Sequence, residues 1–259
     1  MARLIFLGTG AALPTAHRAN TTLAISGAEP GRWLLIDCGG DVYRALVRAD
    51  IPVDGVTDLF ITHAHIDHIG ALPSLIESFR IGGRRAPLRI WGIPEVMEVV
   101  DHLLALYRYE LTLDQWPFAI TFHRTLPGSD LKLAGLDVRI EAMDHALPSV
   151  GLRLALPGGP VCYSCDTQPT PKLAELARGV VLLITECTFL HRDQAAARHS
   201  RHLTAREAGE QAAAADARAL ALVHLGVGDH WSEESARAEA ASAFSGPILI
   251  PDDGQAIEV

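Results

Sequence analysis

Four side chains that can bind metal ions lie within six consecutive positions of this 259-residue chain. They are His63, His65, Asp67 and His68, and they directly follow the apolar run 59–61. Because an extended backbone points alternate residues to one side, His63 and His65 can share one ion. The turn that follows brings Asp67 and His68 to a second position nearby. The spacing therefore predicts two metal ions.

Three further candidates, His145, Asp166 and His224, each stand at or just after the end of a predicted strand. With them the candidates form two sets, His63, His65 and His145 for one ion and Asp67, His68 and His224 for the other. Asp166 is suited to bridge the two ions, because a carboxylate can contact both. This mixture of nitrogen and oxygen donors favours two Zn²⁺ per chain, with Mn²⁺ or Fe²⁺ as alternatives.

The composition is that of a globular chain, with 49% hydrophobic and 20% charged residues. A formal charge of −9 argues against a protein held to nucleic acid by a basic face. No stretch has the length and apolarity of a membrane span or of a secretory signal. We therefore expect a cytoplasmic protein with a single domain over residues 1–259 and no membrane partner.

Short β-branched, apolar runs alternate with helical segments, and no linker divides the chain. The strands come in two batches, which predicts an α/β fold of two facing sheets with helices outside, a four-layer αββα sandwich. Strands are predicted at 3–7, 22–25, 33–36, 58–62, 88–91, 119–123, 136–142, 151–155, 161–165, 181–186, 219–224, 248–251 and 256–259. Helices are predicted at 41–49, 70–81, 94–106, 171–176, 204–215 and 232–244, the last two with capping residues Thr204 and Ser232.

Three other features receive ordinary roles. Cys162 and Cys165 form a C-x-x-C within a predicted strand, but no second cysteine pair completes a zinc site, so we expect buried thiols. The arginines at positions 80, 84, 85 and 89 are expected to form the solvated rim of a loop. The aromatic residues of the segment 106–127 are expected either to line the site or a dimer contact, or to pack in the core.

Ordered motifs over nearly the whole chain resemble the metallo-β-lactamase superfamily, whose fold is the αββα sandwich. They are Asp37 after the strand 33–36, the cluster 63–68, His145, Asp166 and His224. Within that superfamily the chain is similar to the ribonuclease Z (tRNase Z) branch. That similarity rests on the segments 8–14 (GTGAALP), 163–167 (YSCDT), 186–189 (ECTF) and 202–205 (HLTA).

The resemblance implies roles for residues beyond the ligands. In that branch the counterparts of Glu186 and His202 form a pair beside the metals, so His202 held by Glu186 is expected to protonate the leaving group. Asp67 is expected to orient the attacking hydroxide and to accept its proton. Asp37 is expected to brace the ligands through hydrogen bonds and is not counted as a ligand.

Two departures from the ribonuclease Z pattern bear on the substrate. That branch carries a tRNA-gripping arm between the counterparts of His145 and Asp166, where this chain has only twenty residues. Its final histidine is usually followed by a serine and an Arg-Tyr type pair, whereas here His224 is followed by 225–230 (LGVGDH). Both departures weaken tRNA as the expected substrate.

We therefore predict a dinuclear metal-dependent hydrolase of the phosphodiesterase type. It would cleave a small or cyclic phosphodiester by attack of a metal-held hydroxide. A tRNA 3′-processing endoribonuclease is the first alternative, and a hydrolase of aryl sulfates, lactones or β-lactams is the second. The expected partner is a small-molecule phosphodiester, RNA is not favoured, and the resemblance implies a homodimer.

Overall fold

Fourteen strands and eight helices account for the fold over residues 1–109, 112–228 and 230–259, which are the residues that the computed structural model describes. The strands are β1 (Arg3–Gly8), β2 (Thr22–Ser26), β3 (Trp33–Ile36), β4 (Val56–Phe60), β5 (Leu88–Gly92), β6 (Ile120–Arg124), β7 (Asp130–Leu133), β8 (Leu136–Met143), β9 (Ser149–Leu156), β10 (Gly159–Tyr163), β11 (Leu182–Cys187), β12 (Leu220–Leu225), β13 (Ile248–Leu249) and β14 (Ala256–Glu258). The helices are α1 (Val42–Arg48), α2 (Ile66–Ile69), α3 (Leu72–Ile81), α4 (Pro94–Leu106), α5 (Pro171–Leu176), α6 (Gln194–Ser200), α7 (Ala205–Ala214) and α8 (Glu233–Ala241).

The strands form two sheets of seven, each of mixed direction. One sheet has the order β14-β1-β2-β3-β4-β5-β6, and the other has the order β13-β12-β11-β10-β9-β8-β7. Helices α1, α3 and α4 pack on the first sheet, while α5, α7 and α8 pack on the second. The predicted αββα fold is therefore confirmed.

Strand β12 illustrates why the second sheet must be covered on both faces. Its side chains alternate, because Ala221 and Val223 join the core between the sheets while Leu220 and Leu222 join the core under the helices. A parallel strand buried on both faces is apolar along its whole length. That explains the continuous apolar run before His224, which is 2% exposed.

The connections place the predicted site residues at one edge of the sandwich. Strands β3, β4 and β5 are parallel to one another, as are β10, β11 and β12, so the carboxyl ends within each group meet at a common edge. Strand β8 runs in the same direction as β10, because both pair antiparallel with β9. The candidate ligands lie near the ends of these strands or in the segments that directly follow them.

The element boundaries depart from the prediction where the site begins. Strand β4 ends at Phe60 rather than at position 62, and a separate one-turn helix, α2, precedes the predicted helix. The prediction missed this helix because four residues are too few to show a helical period. It also missed β7 and α6, which are short. The N-caps Thr204 and Ser232 are confirmed.

The predicted solvated arginine rim is wrong for Arg84, which is fully buried. Its guanidinium donates to the backbone carbonyls of Val53, Val56 and Pro87, and it lies over the ring of Phe79. A buried charge is tolerated when its donors are satisfied in this way. Arg84, which lies between α3 and β5, therefore ties that loop to the segment before β4.

The structure also tests the expectations for the cysteines and for the aromatic residues of the segment 106–127. The four cysteines are buried and none forms a disulfide, as expected. In the segment 106–127, Phe118 is buried and Tyr109 and Trp116 pack against the core, while Tyr107 is 56% exposed. Glu110 and Leu111 of that segment lie outside the described residues. Among the described residues, no helix is long and apolar enough to cross a bilayer.

Candidate metal centre

The structure brings all seven predicted ligands together in two adjoining groups. One group is His63, His65, His145 and Asp166, and the other is Asp67, His68, Asp166 and His224. In each group the candidate ligand atoms all lie within 4.8 Å of one another. Asp166 belongs to both groups, as its predicted bridging role requires.

The first group converges on a point between three imidazole rings. The Nδ1 atom of His65 lies 3.0 Å from Nε2 of His63 and 3.1 Å from Nε2 of His145. The Oδ2 atom of Asp166 lies 3.7 Å from the His63 nitrogen and 3.9 Å from the His145 nitrogen. These four atoms can approach one cation from several sides, as a tetrahedral ion requires.

The second group shares Oδ2 of Asp166 with the first group. The Nε2 atom of His224 lies 3.3 Å from Oδ2 of Asp166 and 3.2 Å from Oδ2 of Asp67. The Nε2 atom of His68 lies 3.5 Å from each of these two oxygens. Helix α2 makes this possible, because its single turn carries Asp67 and His68 back towards the strand ends.

A β-bulge and a strained backbone conformation orient the His224 side chain towards this second group. Strand β12 pairs with β11 through Val223 and Leu225, and the register shifts between them, so His224 is the extra residue of a β-bulge. Its φ of 50° lies in the left-handed region that residues other than glycine rarely adopt. Bulges of this kind re-aim side chains next to functional sites.

Two buried atoms test whether the residues present fit metal ions. His68 Nε2 and Asp166 Oδ1 are inaccessible to solvent and have no hydrogen-bond partner among the described residues. Unsatisfied buried polar atoms are rare, because each costs about 1–3 kcal/mol. Metal coordination would satisfy both atoms. The donor set therefore fits divalent metal ions.

Hydrogen bonds from the outer ring nitrogens set the tautomers of four histidines. Nδ1 of His68 donates to Oδ2 of Asp37 at 2.8 Å, and Nδ1 of His145 donates to the carbonyl of Arg201 at 2.9 Å. Nδ1 of His63 lies 3.2 Å from the hydroxyl of Thr62, which itself binds Asp37. The remaining histidine is His224, whose Nδ1 donates to Thr188 Oγ1 at 2.9 Å. Each of these contacts orients its ring so that Nε2, the nitrogen that would bind a cation, faces the ligand groups.

Burial also keeps the first group in a state that suits metal binding. Burial lowers the pKa of His63 well below its usual value, and the neighbouring His68 adds to this effect. Burial would raise the pKa of Asp166, but the charges of His224 and His68 outweigh it and hold that pKa well below its usual value. A neutral imidazole beside an ionised carboxylate is the form that binds cations.

Glu186 and His202 form the predicted pair beside the two groups. Nδ1 of His202 donates to Oε1 of Glu186 at 2.8 Å, and the His202 ring lies between the rings of His145 and His224, 4.8 Å and 5.4 Å away. Burial alone would lower the pKa of His202, but the charge of Glu186 and the hydrogen bond to it raise the pKa to about 9. His202 can therefore carry a proton at neutral pH.

Comparison with known proteins decides the family. The sequence from residue 32 to residue 225 matches the family described as the beta-lactamase superfamily domain. A ribonuclease Z of Methanothermobacter thermautotrophicus is 30% identical over 307 aligned positions, which cover 100% of this chain and 97% of that protein. The chain belongs to the metallo-β-lactamase superfamily. It is a metal-dependent hydrolase of the ribonuclease Z-like branch.

Solved structures of this superfamily match the whole chain. The metallo-beta-lactamase fold protein YhfI from Bacillus subtilis superimposes with a TM-score of 0.86 at 22% identity, covering 100% of this chain and 99% of that one. A diphosphatase from the PhnP family superimposes with a TM-score of 0.76 at 19% identity, covering 100% and 98%. Both matches concern the metallo-β-lactamase fold.

Gly39 sets the approach of helix α2 to the rest of this metallo-β-lactamase centre. A Cβ atom at Gly39 would lie 1.5 Å from the carbonyl oxygen of Asp67, which is backbone and cannot rotate away. We expect Gly39→Ala to destabilise the protein by about 3 kcal/mol in urea unfolding and to weaken metal binding at the second group. Gly40→Ala is the matched control, because its Cβ would lie 3.1 Å from Asn20 Oδ1, a side-chain atom, and 3.5 Å from the nearest backbone atom. Equal stability of the two variants would contradict this role.

Sequence reasoning gave no role to Thr188, although it lies in the quoted segment 186–189. Its hydroxyl donates to Oε2 of Glu186 at 2.8 Å and accepts from Nδ1 of His224 at 2.9 Å. It thereby links the second group of ligands to the pair of Glu186 and His202. Its position two residues after Glu186, directly after the predicted strand, was the signal available in the sequence.

We expect Thr188→Val to weaken metal binding at the second group by roughly 10–100-fold, the usual effect of losing a partner of a ligand. Valine keeps the shape of threonine but cannot receive the His224 proton. Competition with a chromogenic chelator measures the affinity. Thr188→Ser restores a hydroxyl and is expected to restore the affinity, so failure of serine to do so would argue against the hydrogen bond as the cause.

Proposed function

We propose that this protein is a dinuclear zinc phosphodiesterase that cleaves a small phosphodiester. The observation that carries the proposal is the pair of Glu186 and His202, held at 2.8 Å beside two adjoining ligand groups. A phosphodiester needs an activated water on one side of phosphorus and a proton donor for the alkoxide that leaves on the other. The candidate centre contains residues for both tasks.

Each residue has a role that follows from its place. One ion would be held by His63, His65 and His145, and the other by Asp67, His68 and His224. Asp166 would contact both ions. The bound ions would supply Lewis acidity and a nucleophile at neutral pH. Asp67 would orient the attacking water and accept its proton, while His202 would protonate the departing oxygen from Nε2. Glu186 keeps Nδ1 of His202 engaged, so that Nε2 is the nitrogen that transfers the proton.

The substrate is proposed to be small because the chain has no long insertion beside the site. Between His145 and Asp166 the chain forms only β9 and β10, joined by the two-residue turn Pro157-Gly158. The aligned ribonuclease Z spans 307 positions against the 259 residues of this chain, so it has residues without a counterpart here. A diphosphatase from the PhnP family and the short-form human tRNase Z both cover nearly the whole chain, so the proposal of a small substrate rests on the short segment between His145 and Asp166.

The second candidate function is tRNA 3′ processing, and the specific observation in its favour is sequence similarity. The matched relative is named ribonuclease Z and is 30% identical over the whole chain. Under this alternative the protein would grip RNA by some surface other than an inserted arm. The acidic charge of −9 weighs against it.

One comparison of substrates separates the two functions. The zinc-loaded and manganese-loaded proteins are assayed in parallel on a bis-aryl phosphate, 2′,3′-cyclic and 3′,5′-cyclic nucleotides, a precursor tRNA, an aryl sulfate and a lactone. The proposal expects hydrolysis of the small diesters, with kcat/KM for at least one of them above that for the precursor. Accurate cleavage of precursor tRNA with the highest kcat/KM would establish the alternative. Hydrolysis of an aryl sulfate or a lactone alone would contradict both.

A further inference from the structure

Exposed apolar side chains stand on the loops that carry the candidate ligands. Ile66 is 79% exposed, Leu13 65%, Val227 43% and Leu147 37%. Large apolar side chains are usually buried, and a group of exposed ones marks a surface that contacts something else. We call these four residues the apolar rim.

The chain connectivity and backbone contacts place the apolar rim at the metal centre. Ile66 lies between two candidate ligands, Leu147 follows His145 by two residues and Val227 follows His224 by three. The loop of Leu13 is tied to the end of β12, because the backbone N–H of Ala11 donates to the carbonyl of Leu225 at 3.1 Å. Four separate loops that border the metal centre therefore each carry an exposed apolar side chain.

The chain neighbours of Leu13, Leu147 and Val227 carry no charge, whereas Ile66 is flanked by the candidate ligands His65 and Asp67. Residues 12–14 and 146–148 are both Ala-Leu-Pro, and residues 226–228 are Gly-Val-Gly. Asp144, which precedes His145, is already paired with Arg201 at 3.4 Å. A site that tracks a nucleic-acid backbone would place lysine and arginine at these positions. A small-molecule site instead combines mostly apolar walls with a few polar groups that orient the ligand.

We infer that the apolar rim binds an uncharged alkyl or aryl ester group of the substrate, while the metal centre takes the phosphate. This inference rests on the proposed function and names its substrate class: phosphodiesters in which at least one alcohol is apolar. Residues 12–14, 146–148 and 226–228 offer no positive charge to a second phosphate or a long polyanion. Selectivity is then set by the apolar area that the ester group buries on Leu13, Ile66, Leu147 and Val227.

Binding of alkyl phosphonates tests the inference without requiring turnover. The zinc-loaded protein is titrated calorimetrically with methyl, propyl, pentyl and phenyl phosphonate, which share one charged group and differ in apolar area. We expect Kd to fall about two- to fourfold per methylene that contacts the rim, and the heat-capacity change of binding to become more negative with chain length.

Substitution then assigns the effect to the rim. Leu147→Ser and Leu13→Ser are expected to flatten the dependence of Kd on chain length. Ile81→Ser is the matched control, because Ile81 is 73% exposed at the far end of α3, about 14 Å along the helix from its start. That variant is expected to keep the full dependence.

The outcomes separate this inference from the proposed function. A Kd that is the same for every chain length overturns the rim as a binding surface, even if diesters are hydrolysed. A clear dependence on chain length together with no hydrolysis of any diester supports the rim and overturns the phosphodiesterase function. If sedimentation shows a dimer that Leu147→Ser or Leu13→Ser converts to a monomer, the rim is an interface between two copies, and the inference is overturned.

Discussion

Asp166→Asn is expected to abolish phosphodiester hydrolysis and to remove most of the bound metal. One oxygen of Asp166, Oδ2, lies within 3.3–3.9 Å of ligand nitrogens from both groups. Asparagine has nearly the same shape, but it carries no charge to offset two dications in a buried site. The loss of metal affinity should exceed the roughly 10–100-fold typical of partners outside the ligand set.

Metal content after dialysis, measured by mass spectrometry alongside hydrolysis of a bis-aryl phosphate, checks this expectation. Asp137→Asn serves as the control, since Asp137 is an exposed carboxylate paired with Lys132 at 2.8 Å on the surface. The control should bind two zinc ions and retain full activity. An Asp166→Asn protein that keeps both ions and turns over normally would show that the carboxylate does not bridge them.

His202→Ala is expected to keep both metals and to slow diesters with poor leaving groups by roughly 10²–10⁴-fold, the usual contribution of a general acid. Esters with an activated aryl leaving group should slow much less, because an aryloxide leaves without a proton. His199→Ala is the matched control, since His199 is an exposed histidine three residues earlier on α6. Equal slowing of both ester classes would contradict the general-acid role.

The raised pKa of His202 predicts the direction in which kcat changes with pH. The pKa of His202 is raised to about 9, so the proton it donates is present at neutral pH and is lost as the pH rises through that pKa. Nearby metal cations would lower the pKa, so we place the descending alkaline limb of kcat at or below pH 9. That limb should disappear in His202→Ala for an alkyl leaving group. An unchanged limb in the variant would assign it to another group.

The grouping of the seven candidate ligands was predictable from the sequence because its signal is local. His63, His65, Asp67 and His68 occupy one short segment, and His145, Asp166 and His224 each follow an apolar run that reads as a strand. Strand ends of a layered α/β fold gather at one edge, so position along the chain was sufficient to suggest proximity in space.

The orientation of those side chains could not be predicted from the sequence. Asp37, Cys165 and His224 all have positive φ angles, of 66°, 56° and 50°, and none is glycine. Such conformations cost of order 1–3 kcal/mol each and persist only where surrounding contacts impose them. The β-bulge at His224 likewise depends on pairing with β11, a strand more than thirty residues earlier in the chain. The conformational preferences of these residue types predict neither the positive φ angles nor the β-bulge.

The partners of the ligands were hidden for the same reason. Thr188 acts through a hydroxyl placed by strand pairing, and Arg201 holds His145 through its backbone carbonyl, which any residue type could supply. Arg84 was predicted to lie in a solvated rim, yet it is buried and donates to the carbonyls of Val53 and Val56, which precede β4 or begin it. Contacts of this kind depend on tertiary structure, which overrides local composition.

The central claim is that two metal ions held by these seven residues perform phosphodiester hydrolysis. Titration of metal-stripped protein with zinc, followed by the rate of bis-aryl phosphate hydrolysis, tests it most directly. We expect the rate to rise until two zinc ions are bound per chain and to stay constant thereafter. Full activity with one ion per chain, or two tightly bound ions with no hydrolysis of any phosphodiester, would contradict it.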